Sequence, residues 1–196
     1  EPINSATLEI FAETFESTGF SPKSFVPCYG LAEATLLVSA NNSETEKKTE
    51  KFDANELEKN KIVKSNIKEK SKILVNCGKL AEEIDVKIVN SETLKLAGDN
   101  EVGEIWLAGA NIAKGYWENE SATENDFNAK IVGGGETKYL RTGDLGFINE
   151  NELFVTGRLK EIIIQRGRNL YSHDIEIAVE QVHPSLRKNF GMAIAV

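Results

Sequence analysis

The sequence predicts a mixed α/β chain, an α+β arrangement with a large antiparallel component. Three observations carry that prediction. An amphipathic helical pattern opens the chain, six short β-rich runs separated by turn residues fill 73–156, and beyond Gly157 the order changes to strand, glycine loop, helix and strand.

In residues 5–19, Leu8, Phe11, Ala12 and Phe15 recur at helical spacing. Ser5 is the expected N-cap, Gly19 suits the left-handed position after the helix, and one face is expected to join the core. Phe25–Cys28 reads as a buried strand ending in a turn at Tyr29-Gly30, followed by a small-residue and β-branched stretch from Ala32 to Ala40. Residues 41–72 then hold 9 Lys and 7 acidic side chains in 32 positions, the composition of a solvated insertion. A short docking helix near Asp53–Asn60 and a plain surface loop are both open for it.

The β-rich runs are Ile73–Asn76, Ile84–Val89, Val102–Ala108, Lys138–Leu140, Gly146–Ile148 and Leu153–Thr156, with turns at 133–135 and 149–152. The triple glycine 133–135 has no Lys-Ser/Thr after it and is not a phosphate loop. Glu161–Ile164 is a strand, Arg166–Asn169 a loop, Ser172 the start of a helix that Pro184 stops, and Gly191–Val196 a strand. The expected organisation is 1–40, 41–72, 73–156 and 157–196, with a boundary near Gly157.

With 23 Lys+Arg against 31 Asp+Glu, the net charge is −8, which argues against nucleic-acid and anionic-membrane binding, since both need clustered cations. No apolar run approaches the roughly 20 residues that cross a bilayer. Cys28 and Cys77 form no CxxC or Cys/His cluster, so a cytoplasmic, disulfide-free chain is expected. The sequence opens on Glu1-Pro2 and stops within an apolar run, and it reads as part of a longer protein.

Three segments crowd glycine and polar residues where a β-framework favours apolar ones: Tyr29–Thr35 (YGLAEAT), Tyr139–Gly146 (YLRTGDLG) and Gly157–Asn169 (GRLKEIIIQRGRN). Each alone has a structural explanation: Tyr29-Gly30 as a turn, Thr142-Gly143-Asp144 as a tight turn with an Asx-type hydrogen bond, Arg158–Lys160 as the start of a charged linker. Together and in this order they resemble the adenylate-forming superfamily of acyl-CoA synthetases, luciferases and peptide-synthetase adenylation domains. Val102–Trp117 (VGEIWLAGANIAKGYW) matches that family's glycine-rich β segment, and Glu1-Pro2 resembles the tail of its adenine-side loop. The wording YGLAEAT, with Ala32 where most members carry Thr, and the position of the 41–72 insertion look like the fatty acyl-AMP ligases.

The resemblance implies the end of the large adenylate-forming domain with its antiparallel β-subdomain, plus the start of the small C-terminal domain. It implies activation of a fatty acid with ATP to acyl-AMP and pyrophosphate, in the presence of Mg²⁺, for transfer to an acyl carrier protein or polyketide synthase acceptor. In that pattern Glu33 is the Mg²⁺ ligand, Tyr29 and Gly30 lie at the nucleotide with the Tyr29 ring on the adenine, and Asp144 receives both ribose hydroxyls. Arg158 serves the ribose and phosphate, and Lys160 is the hinge of the small domain's swing. The loop Arg166–Asn169 either approaches the acceptor's pantetheine arm, faces an acidic carrier protein or is a solvated turn. His173 and His183 take no role.

The family's phosphate loop and its C-terminal adenylation lysine are not in the sequence, so these 196 residues alone are expected to form no acyl-AMP. Two alternatives stand beside the ligase: an acyl-CoA synthetase with an unrelated insertion, and a non-catalytic interaction module on the same fold.

Overall fold

The β-rich runs pair into one antiparallel sheet whose inner strands are buried along consecutive residues, 74–78, 103–107 and 153–157, so that both faces need cover. A computed structural model describes residues 2–42, 49–187 and 190–195. The sheet has eight strands: β1 (Cys28–Leu31), β2 (Leu36–Ala40), β3 (Thr49–Asp53), β4 (Ser71–Leu80), β5 (Ile84–Val89), β6 (Gly103–Gly109), β7 (Leu140–Asn149) and β8 (Glu152–Arg158). The order is β1-β2-β4-β8-β7-β6-β5, with β3 paired to β4. Strand β4 takes β3 along residues 71–75 and β2 at Lys79 and Leu80. At Gly78, where the partner changes, φ is +84° and a Cβ would sit 1.9 Å from the Ala40 carbonyl carbon, so only glycine fits.

Both faces of the sheet are covered. Along β8, Leu153 and Val155 enter one apolar cluster with Val38, Ile105, Leu107 and Leu140, while Phe154 points to the other face. That second cluster is aromatic: Phe147 and Phe154 stack with centroids 5.1 Å apart, and Phe52 meets both edge-on.

Phe52 belongs to the insertion and has 0% exposure. The described part of the charged segment is therefore packed on the sheet through 49–57, not a plain solvated loop. In β3 the inward positions are Glu50 and Phe52, so the buried face carries a carboxylate beside its one apolar residue, and that composition hides the period. Asp53 then caps a single helical turn, α2 (Ala54–Leu57), accepting from the N–H groups of Asn55 and Glu56 at 2.9 and 3.1 Å. Leu57 follows into the core. Residues 43–48, also within the expected insertion, lie outside the described residues, as do Glu1 and Val196.

Several boundaries differ from expectation. Helix α1 (Ser5–Phe15) is capped by the side chain of Asn4, not Ser5, and has no buried residue. Its apolar face instead gathers an aromatic group in which Phe11 meets Phe15, Phe20 and Phe25 at 4.6–5.8 Å. Tyr29 and Gly30 lie within β1, and the turn is the 3-10 segment Ala32–Ala34, closed by left-handed Thr35. Gly30 is explained by close approach, since a Cβ there would come within 1.7 Å of the Leu36 carbonyl oxygen. The two runs at 138–140 and 146–148 are a single strand, β7. Helix α3 (Glu120–Phe127), which the sequence pattern did not reveal, covers β7.

Beyond Arg158 a 3-10 turn (Leu159–Glu161) leads to a separate hairpin of β9 (Ile162–Gln165) and β10 (Arg168–Tyr171), then α4 (Ser172–Glu180). Arg166 and Gly167 both have positive φ, +53° and +74°, the two-residue hairpin turn that matches strand twist. The expected loop at 166–169 is thus a tight turn with Arg168 and Asn169 already in β10. Residues 191–195 form no strand, in contrast to the expectation for 191–196. No helix among the described residues is long and apolar enough to cross a membrane.

Replacing Phe52 by Ala should cost about 3–5 kcal/mol in urea unfolding, as for other fully buried phenylalanines. A change within about 0.5 kcal/mol would return the insertion to the surface.

Candidate functional site

The middle of β7 leaves its ladder at Thr142–Asp144. Trp106 of β6 pairs with Arg141 and Glu104 with Leu145, so one residue of β6 lies opposite three of β7. Gly143 accommodates the bulge with φ +71°. The Thr142 hydroxyl donates to the Ile105 carbonyl at 2.7 Å and accepts from the Asp144 N–H at 3.0 Å. The turn is closed by threonine, not by the Asx-type bond expected of Asp144, and the aspartate carboxylate is left for other contacts.

Those contacts are specific. The Tyr29 hydroxyl donates to Asp144 Oδ2 at 2.8 Å, and Arg158 Nε donates to Oδ1 at 3.0 Å. Asp144 and Arg158 are directly opposed across β7 and β8, which brings the charges together without long side chains having to search for each other. The arginine is 52% exposed and the aspartate mostly covered. Burial, and then the Asp144 charge, push the Tyr29 phenol well above its usual range, so it remains a donor. The Tyr29 ring is packed in the core cluster with Val38 and Leu153, and its hydroxyl is what reaches Asp144.

Glu33 occupies the 3-10 turn after β1, held by the segment after β6. Ala113 N–H donates to the Glu33 carbonyl at 2.8 Å, the Asn111 amide to the Ala34 carbonyl at 2.7 Å, and the Thr35 hydroxyl to the Asn111 carbonyl at 2.6 Å. The Tyr116 hydroxyl donates to Glu33 Oε1 at 3.0 Å; burial and this carboxylate push its phenol up to about 12. Among the described residues no group of three His, Cys, Asp or Glu could hold a metal by itself. A single partly open carboxylate fits Mg²⁺ that keeps its water and takes phosphate oxygens for the rest.

Lys160 is exposed in the 3-10 turn between the large sheet and the β9–β10 hairpin. The structure brings Tyr29, Asp144 and Arg158 together; no described hydrogen bond or ion pair links Glu33 or Lys160 to them. The sequence assigns no role to Tyr116, Asn111 or Glu104, and to Thr142 only a place in a tight turn. Glu104 left one signal, a carboxylate inside the apolar run IWLAG and its flanks.

The insertion also reaches the C-terminal unit. Arg168 forms an ion pair with Glu58, the Asn169 N–H donates to the Glu58 carbonyl at 2.8 Å, and Lys72 binds Asp174 at 2.5 Å while lying 4.2 Å over the Tyr171 ring. A groove of about 400 Å³ opens beside this contact, lined by Glu58, Tyr171, Ile175 and Val179.

The profile of the AMP-binding enzyme family matches residues 1–117. The chain belongs to that family. It is 45% identical over its full length to a medium-chain-fatty-acid–[acyl-carrier-protein] ligase of Moorena producens, spanning 34% of that protein. It is 38% identical to a 4-hydroxyphenylalkanoate adenylyltransferase of Mycobacterium tuberculosis, with 93% of this chain and 30% of that protein covered. Among solved structures, a fatty acyl-adenylate ligase of Legionella pneumophila in complex with acyl adenylate and pyrophosphate superposes with a TM-score of 0.76 at 40% identity, over 92% of this chain and 31% of that one. The chain thus spans about a third of the length of these relatives. Its mixed fold with an antiparallel sheet is the one found in these adenylate-forming ligases.

Tyr29→Phe should lower stability by about 1–3 kcal/mol, the range for a partly buried hydrogen bond to a charged group, measured by chemical unfolding. No change would mean that the phenol and Asp144 are each as well served by water.

Proposed function

We propose that this chain is part of an ATP-dependent fatty acyl-AMP ligase that passes its acyl group to a carrier protein or polyketide synthase acceptor in the cytoplasm. The observation that carries the reading is Asp144, a carboxylate freed from its own turn and held with both oxygens directed at hydrogen-bond donors. Two carboxylate oxygens match the vicinal hydroxyls of ribose. Nucleotide binding then exchanges the bonds from Tyr29 and Arg158 for bonds from the sugar. The freed guanidinium, permanently charged, turns to the ribose or phosphate. Gly30 lines the nucleotide edge, while the Tyr29 ring, expected on the adenine, is packed in the core and offers the site its hydroxyl. Glu33 is the protein ligand for Mg²⁺, which neutralises phosphate charge when bound.

In the reaction the fatty carboxylate oxygen attacks the α-phosphorus, the new P–O bond forms, and the bond to the bridging oxygen breaks as pyrophosphate leaves with its electron pair. An ionised carboxylate needs no general base, so the residues supply positioning and charge compensation. The acceptor thiol then displaces AMP from the acyl carbon. Lys160, exposed between the two sheets, is the hinge for the rearrangement between these steps. The Glu58–Arg168 and Lys72–Asp174 links favour the ligase over an acyl-CoA synthetase, because they tether β10 and α4 and with them the hairpin turn that would otherwise approach CoA.

The full-length protein, given ATP, Mg²⁺, a fatty-acid panel, CoA and a phosphopantetheinylated carrier protein, should yield acyl-AMP and acyl-carrier protein but little acyl-CoA by mass spectrometry. Efficient acyl-CoA formation would favour the synthetase; no product with any carboxylic acid would favour a non-catalytic module. Asp144→Ala should weaken AMP binding about 10- to 100-fold, the loss of hydrogen bonds to a charged group. Unchanged affinity would remove the ribose role. Deleting 41–72 would strip Phe52 from the core, so the tether is better tested by Glu58→Ala with Lys72→Ala. That double variant should gain acyl-CoA formation, and unchanged acceptor choice would sink the tether.

A further inference from the structure

Glu104 is a carboxylate with 1% exposure on β6, beside the bulge of β7, and nothing in the proposed chemistry uses it. Burying a carboxylate is costly unless it is paired and hydrogen-bonded. Here it is both. Arg141 Nη2 and Nε donate to Oε2 at 2.9 and 3.1 Å, and the Gly143 N–H donates to Oε1 at 3.2 Å. The Arg141 guanidinium also lies 5.5 Å from the Trp106 ring centre, which fixes its plane.

All of these contacts converge on the β7 bulge. The backbone from Thr142 to Asp144, between the paired Arg141 and Leu145, leaves the β6 ladder, and the bulge's polar groups need substitutes for the strand bonds they forgo. Glu104 takes the Gly143 N–H and anchors the side chain of Arg141, while Thr142 takes the Asp144 N–H. Asp144 is the next residue along, and its carboxylate direction follows from the backbone path so fixed.

We propose that Glu104 is a positioning residue for nucleotide recognition: with Arg141 and Thr142 it clamps the Thr142–Asp144 bulge so that Asp144 presents both carboxylate oxygens to a ribose diol. This rests on the ribose reading of Asp144. Glu104 does not touch the nucleotide. Its effect is transmitted through the Gly143 N–H, and its loss should blur the aim of Asp144 while sparing the other nucleotide contacts.

The test compares AMP with 2′-deoxy-AMP by calorimetric titration of the full-length protein and of Glu104→Gln, with folding checked by thermal unfolding. The unaltered protein should prefer AMP by about 10-fold or more, since a site built around a hydroxyl rejects the ligand lacking it. In folded Glu104→Gln that preference should fall to within about threefold, as AMP binding weakens and 2′-deoxy-AMP binding changes little. A folded variant that keeps the full preference overturns the positioning role, because a residue serving only stability would leave the ratio alone. If Glu104→Gln does not fold, Thr142→Ala decides in its place: a collapsed preference supports the clamp and an intact one overturns it. If the unaltered protein itself makes no distinction, the ribose role of Asp144 fails and the proposal falls with it.

Discussion

Everything at the site depends on β7 leaving its ladder for three residues while remaining a central strand. A strand with neighbours on both sides has its backbone groups spoken for, and a side chain midway along it normally points into a packed face. The bulge opposite Ile105 releases that constraint locally. The neighbouring pairing of β7 with β8 then sets Arg158 directly across from Asp144. A site formed this way is aimed by the sheet itself, so its precision comes from register and not from a flexible loop.

The same sheet explains the small residues around it. Gly30 exists because β1 and β2 approach too closely for a Cβ, and that approach carries Tyr29 to Asp144 and leaves Glu33 on the turn beyond. The segment 111–116 then holds that turn with four hydrogen bonds from or to Asn111, Ala113 and Tyr116. Motifs that are far apart in the chain are thus joined mostly through side-chain hydrogen bonds whose partners the sequence does not advertise.

The insertion has two physical roles at once. Its apolar residues Phe52 and Leu57 complete the aromatic face of the sheet, and its charged residues Glu58 and Lys72 meet Arg168 and Asp174 of the C-terminal unit. Burial anchors one side, while the ion pairs on the other are exposed enough to exchange with water. Exposed pairs of this kind contribute little to stability.

Much of this was legible in the sequence. The β-rich runs Ile84–Val89 and Val102–Ala108, the helix from Ser172 and the crowding of glycine and polar residues around Tyr29, Asp144 and Arg158 are local patterns, and the strands and helix form where those patterns place them. Family membership followed from the motifs in order. What tertiary structure alone decided were the partners: that Tyr29 donates to Asp144 115 residues away, that a lysine-rich segment buries Phe52, and that Glu104 is buried and accepts the Gly143 N–H. The reason is that periodicity reports which side of an element is apolar, whereas the fate of a polar group depends on which strand lies beside it. That neighbour is set by register across the whole sheet, which no short stretch of sequence encodes.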